Sequence, residues 1–157
     1  MTATLSEQLA GKQRKRLIVP IQVTDATEDH EQWMAVATAL ELAKQRDDTD
    51  AVSRLEEELT AVSDRYRSHW VRIELQALSA NDWEMAMREW HDGDTVDWAR
   101  ALSPLLAQSC VDTSLRDTDQ WRERLERPEW TEGDRYALRA GLLQLNTLAS
   151  DPVAPKG

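Results

Sequence analysis

The sequence predicts a mainly α protein: an N-terminal extended arm or strand, an antiparallel helical hairpin, then a small C-terminal helical bundle. Three observations predict it. Breakers are scarce, with five Gly and five Pro in 157 residues, and Pro152 and Pro155 sit close to the end. Apolar residues recur at three- and four-residue steps from about residue 30 onward. β-forming residues gather in a single short run, Leu17 to Val23. Hydrophobic residues make up 41% and charged residues 31%, a composition that buries a core rather than staying disordered.

The expected organisation is a basic, extended arm over 1–27, the hairpin over 28–78, a C-terminal helical domain over 79–150 and a flexible tail over 151–157. In the arm, Leu5 and Leu9 precede Lys12, Arg14, Lys15 and Arg16, which predicts a loose segment or one helical turn. Ile18, Val19, Ile21 and Val23 then read as a strand. Pro20 lacks the N–H a ladder needs, so the run suits a sheet edge or an extended segment. No second strand is evident, and the run either lies over the helices or pairs between copies.

Thr24 to Asp29 carries helix-starting chemistry, with acids where the helix dipole favours them. Trp33, Val36, Ala37, Leu40 and Ala43 form one helical face. Gln45 to Asp50 is a polar turn. A second helix is predicted along Val52, Leu55, Leu59, Val62, Tyr66, Trp70, Ile73 and Ala77, at the alternation of a coiled-coil seam. Two such stripes with a short connection predict an antiparallel pair, with Glu56, Glu57 and Glu58 on its solvated side.

Ser79 to Asp82 caps a short helix lined by Trp83, Ala86, Met87 and Trp90, which His91 to Asp94 ends with Gly93 in a left-handed turn. Val96 to Leu102 is the next helical piece, and Ser103-Pro104 starts another. Asp117 to Asp119 opens a helix through Trp121 and Leu125, and Thr131 to Asp134 opens the last, with Leu138, Gly141, Leu142, Leu145 and Leu148 on one side. Gly141 sits inside that helix, where it suits close packing against a neighbouring helix.

The formal net charge is −10, which disfavours nucleic acid and anionic membranes as partners. Cys110 is the only cysteine, so no intrachain disulfide forms, and its apolar helical setting predicts an inert thiol. No run approaches the length of a membrane span, and no signal-peptide core opens the chain, which together predict a cytoplasmic protein. His30, His69 and His91 stand apart in sequence, and neither a zinc motif nor a phosphate loop occurs. No cofactor, metal or catalytic residue is expected. Seven Trp with no Phe is unusual, and Trp83, Met87, Trp90 and Trp121 are the candidates for a protein-binding surface, each fitting a core as well.

Two stretches carry a resemblance. One is Leu75-Gln-Ala-Leu78-Ser-Ala-Asn-Asp-Trp83-Glu-Met-Ala-Met87; the other runs from Trp121-Arg-Glu-Arg-Leu125 through Trp130-Thr-Glu-Gly-Asp134 to Leu142-Leu-Gln-Leu145-Asn146. Their order resembles the tail assembly chaperones of long-tailed phages of actinobacteria. The layout is similar over about 16–149 and sharpest over 73–90 and 120–146. The His-Pro-Pro run of that family has no counterpart at Trp90-His91-Asp92-Gly93. The resemblance implies a protein that is not an enzyme. It would bind the tape measure protein and keep it soluble in the host cytoplasm until tail tube protein replaces it. It also implies a longer, frameshifted form sharing this N-terminus. A structural head or tail connector, or an oligomeric interaction protein of the particle, is the alternative, its sign being the addition of Leu17 to Val23 as a strand to a neighbour. A DNA-mimicking inhibitor is disfavoured because Arg122, Arg124, Arg127, Arg135 and Arg139 interrupt the C-terminal acids.

Overall fold

The computed structural model describes residues 2–150 and Pro152; the flexible tail expected over 151–157 otherwise lies outside the described residues. The chain is mainly helical, with two small two-stranded sheets. It forms two compact units, Pro20–Arg72 and the combination of Met1–Val19 with Ile73–Gly157.

In the unit Pro20–Arg72, helix α2 (Thr27–Gln45) packs along helix α3 (Thr49–Arg67). Val36, Leu40 and Ala43 of α2 bury against Leu55 and Val62 of α3, with Trp33, Val52 and Leu59 packed around them. These are the positions that the three-and-four spacing marks. The indole N–H of Trp33 donates to Ser63 Oγ at 3.1 Å, so the half-buried ring keeps its polar edge satisfied. The turn between the helices explains their antiparallel course. Asp47 adopts φ 54°, the Asp48 N–H donates to the Ala43 carbonyl at 3.1 Å, and the Asp47 N–H donates to the Lys44 carbonyl at 3.3 Å. That is a left-handed helix stop, completed when the Asp48 side chain caps α3 through the Ala51 N–H.

Strand β1 (Arg16–Gln22) pairs with strand β2 (Trp70–Gln76). The predicted second helix therefore does not run on to Ala77: it stops at Arg67, and the chain becomes the strand partner that the sequence reading lacked. Ile73 and Ala77 lie four residues apart, which is close to one helical turn and equally two strand repeats. Ile73, Leu75 and Ala77 are all buried, the period-two pattern of a half-buried strand. The Val23 N–H donates to the His69 carbonyl at 2.8 Å, and the Ala77 N–H donates to the Lys15 carbonyl at 2.9 Å. The ladder is thus antiparallel and turns the backbone groups of odd-numbered β1 residues toward β2. Even-numbered residues face outward, so the donor missing at Pro20 belongs to the outer edge, where proline is tolerated.

The other unit begins with helix α1 (Leu5–Ala10), closed by a Thr4–Glu7 capping box and exposed along its length. It continues with α4 (Ala80–Glu89), the hairpin strands β3 (His91–Asp92) and β4 (Thr95–Val96), α5 (Trp98–Ser109), α6 (Thr118–Glu126) and α7 (Glu132–Thr147). Helix α5 is continuous across Ser103-Pro104, where the sequence predicts a break. Ser103 is a buried core residue there rather than a cap. Pro104 lacks the N–H that would bond to the Arg100 carbonyl, and the apolar burial of Ala101, Leu102, Leu105 and Leu106 on either side offsets that loss. The core of this unit is completed by Trp121, Leu125, Leu138, Leu142 and Leu145.

Gly141 of α7 meets a strand pair instead of a helix. A Cβ there would stand 2.8 Å from Val19 Cγ2, 3.4 Å from Leu17 Cδ2 and 3.6 Å from Leu75 Cδ1. One turn on, Asn146 Oδ1 accepts the Leu78 N–H at 2.8 Å while its Nδ2 donates to the Leu142 carbonyl at 2.8 Å. That side chain ties the end of α7 to the segment leading into α4.

Candidate protein-binding groove

Helix α4 starts where Ser79 Oγ accepts the Asp82 N–H at 3.1 Å, and it ends where the Trp90 N–H reaches the Ala86 carbonyl. The chain then reverses through Gly93 at φ 64°, with Asp92 paired to Thr95 across a two-residue loop. The Asp97 N–H returns to the Trp90 carbonyl at 2.8 Å, which seats Trp90 at the corner between α4 and α5.

Between these helices lies a groove of about 580 Å³. Met85, Ala86 and Trp90 line it from α4, and Pro104, Leu105 and Gln108 line it from α5. Gln76 and Ala77 also line it, together with two guanidinium groups, Arg14 and Arg116. Arg14 is held there by a bond of 3.1 Å to the Ala77 carbonyl, and Arg116 by one of 3.4 Å to the Cys110 carbonyl. Leu75 bridges Cys110, and the Val111 N–H donates to the Glu74 carbonyl at 3.0 Å, so the strand end and the helix end meet at this point. Asp82 and Glu89 line the α4 side. They are seven residues apart, two helical turns or roughly 10 Å along one face.

The polar groups of the groove share one property. Among the described residues, Arg14, Arg116, Asp82 and Glu89 take part in none of the ion pairs within the chain. Ser109, 1% exposed, also lines the groove, and its Oγ is buried without a hydrogen-bond partner. Native interiors rarely leave a hydroxyl unsatisfied.

Of the residues that the sequence singled out, Trp90 lines the groove, with the Arg100 guanidinium 5.4 Å from its ring centroid. Trp83 and Met87 are half-buried on α4 and are not among the lining residues. Trp121 is 0% exposed, so it is core filler and not a surface residue. Its Nε1–H donates to the Leu115 carbonyl at 2.6 Å, and its ring meets Trp130 edge-on at 6.3 Å. Helical spacing placed Trp90 and Trp121 on apolar faces alike. What separates them is the tertiary neighbour, which spacing does not encode. Asp82 was read only as part of the cap of α4, and Glu89 was not singled out. Arg14 was visible only as part of a basic arm, and nothing near Arg116 or Ser109 marked them.

The structure also joins residues that the sequence left apart. His69 Nε2 lies 2.6 Å from Asp29 Oδ2, and His69 Nδ1 lies 2.6 Å from Thr24 Oγ1. Arg65 Nε adds an ion pair to Asp29 at 3.7 Å. The His69 carbonyl accepts the Val23 and Thr24 N–H groups, so this residue fastens the turn before α2 to the turn after α3. Among the described residues, no group of three His, Cys, Asp or Glu side chains could hold a metal ion. No described helix is long and apolar enough to cross a membrane. Comparison with protein families, with curated proteins and with solved structures finds no match.

Proposed function

We propose that this protein is a phage tail assembly chaperone that holds the tape measure protein in solution while the tail is built. The reading starts from the resemblance carried by residues 73–90 and 120–146. It includes the finer architecture expected from the sequence: an arm, a hairpin and a C-terminal bundle. The observation that carries it is the α4–α5 groove, whose α4 side falls within the first of those segments and which sets Met85, Trp90, Pro104 and Leu105 among charges that make no ion pair among the described residues. Such a groove suits an amphipathic helix laid lengthwise, and a tape measure is a long chain of such helices. A net charge of −10 keeps loaded complexes from associating with one another. Trp90 is the anchor, with Trp83 and Met87 at the margin of the same helix.

The connector reading would use β1 as an added strand. Pro20 weighs against it, because the donor it lacks faces the side where a new strand would pair.

The test is to express the gene from its native locus and identify, by mass, every product recognised by an antibody to the N-terminal half. A minor longer product joined near the C-terminus, with the tape measure protein copurifying, is the expected result. A single product that is also present in purified particles would replace the chaperone with the connector.

A further inference from the structure

We infer that the outer face of α2 is an interface between copies of this chain, two α2 helices packing antiparallel about a two-fold axis at Thr38. The inference uses residues of the unit Pro20–Arg72 alone and does not depend on the α4–α5 groove.

The two helices of the hairpin differ on the sides that they turn from each other. Helix α3 exposes Glu56, Glu57 and Glu58, an ordinary solvated face. Helix α2 exposes Met34 and Leu42, at 51% and 46%, together with Ala35 and Thr38. Thr38 spends its hydroxyl donor inside the helix, Oγ1 donating to the Met34 carbonyl at 2.9 Å. Met34, Thr38 and Leu42 follow one another by single turns, a stripe about 12 Å long on the side away from buried Val36, Leu40 and Ala43. Helix α2 thus carries a second apolar stripe, which the described residues leave uncovered.

The stripe is symmetric about Thr38, which is what a two-fold axis requires. With the axis there, Met34 falls level with Leu42 of the second copy, and Thr38 faces Thr38. The same register decides the charges. Glu31 falls level with Gln45 of the second copy, beside its Arg46, and Glu28 lies one turn further along the same side of the seam. Among the described residues, Glu28, Glu31 and Arg46 take part in none of the ion pairs within the chain. Each end of the seam therefore brings two carboxylates to one guanidinium, and the symmetry repeats the match at the other end. Glu41, at the margin of the stripe, keeps its exposed carboxylate in water. A parallel pairing would set Arg46 against Arg46 and Glu31 against Glu31, and would lay the helix dipoles side by side in the same sense.

The seam is short. One helix pair buries less than the roughly 1,600 Å² of a standard interface, so the dimer is weak, with a dissociation constant on the order of 10–100 µM. Sedimentation velocity on the full chain from about 5 µM to about 300 µM brackets that range. The weight-average mass is expected to rise from 18.0 kDa toward twice that value. Met34→Glu with Leu42→Glu, both at exposed positions, should hold the chain monomeric throughout and leave its helical circular dichroism unchanged. Arg46→Glu should weaken association about tenfold, and adding Glu28→Lys and Glu31→Lys should restore it. Thr38→Cys should form a disulfide-linked dimer under mild oxidation, because the axis sets the two sulfurs against each other, and Glu57→Cys on the solvated side of α3 should not. Cys110, 1% exposed, stays out of that reaction.

A chain that stays monomeric over the whole range overturns the inference. So does a dimer that survives Met34→Glu with Leu42→Glu, or one that cross-links through Glu57→Cys as readily as through Thr38→Cys. If the chain is monomeric and the same double variant loses a protein that copurifies with the native chain, the face belongs to that other partner and not to a second copy.

Discussion

Cys110 closes α5, and burial pushes its thiol pKa from 9.0 up to about 11. The raised value makes the neutral thiol the form that the fold favours. Below about pH 9 the group is protonated in both folded and unfolded chains and contributes nothing to pH dependence. As pH rises from 9 toward 11 the unfolded chain loses the proton first, so stability falls by up to about 2–3 kcal/mol. Urea unfolding between pH 8 and 10.5 should show this decline, and Cys110→Ala should flatten it. The sequence predicted an inert thiol from its apolar surroundings, and the buried position and raised pKa agree with that. At Trp121 the sequence left core and surface both open, and its 0% exposure selects the core.

At the level of elements, the most constrained packing is that of α7 against the β1–β2 pair. Ala at position 141 would gain about 1 kcal/mol of helix propensity. Its Cβ would also press on Val19 Cγ2, a stiff β-branched side chain with little room to turn. Overpacking of this kind costs about 1–3 kcal/mol, so Gly141→Ala should lower stability by about 1 kcal/mol net. In a Val19→Ala background the same substitution should become neutral or stabilising, which a double-mutant cycle of melting curves would register. The close approach was foreseen, but its partner was not. The strand β2 was hidden because Trp70, Ile73 and Ala77 satisfy helical spacing. Only the alternation of Arg72, Glu74 and Gln76 with buried Ile73 and Leu75 reveals the other period. The hairpin was legible because α2 and α3 bury one stripe each and the stop between them is local.

Across the whole molecule, charge is unevenly shared. The unit Pro20–Arg72 contains twelve acidic and six basic residues, more than half of the net −10. Like charges at this density repel within the folded state, and salt screens them within about 10 Å at 0.1 M. Raising NaCl from about 20 mM to about 0.5 M should therefore shift the urea midpoint upward, with the denaturant slope unchanged. The net charge could be counted from the sequence alone. The groove could not be found that way, since its residues come from the arm, β2, α4, α5 and the loop after α5, and only tertiary contact assembles them.

Pro20 closes with a consequence for the cell. A lone pair of strands offers two open margins, and an unprotected margin recruits its own kind during high-level synthesis, ending in insoluble deposits. Here β2 is partly shielded by the Val111 N–H on the Glu74 carbonyl, and β1 has a gap in its row of outward donors at Pro20. One missing hydrogen at Pro20 thus breaks the template that a second copy of the chain would need in order to add its own strand.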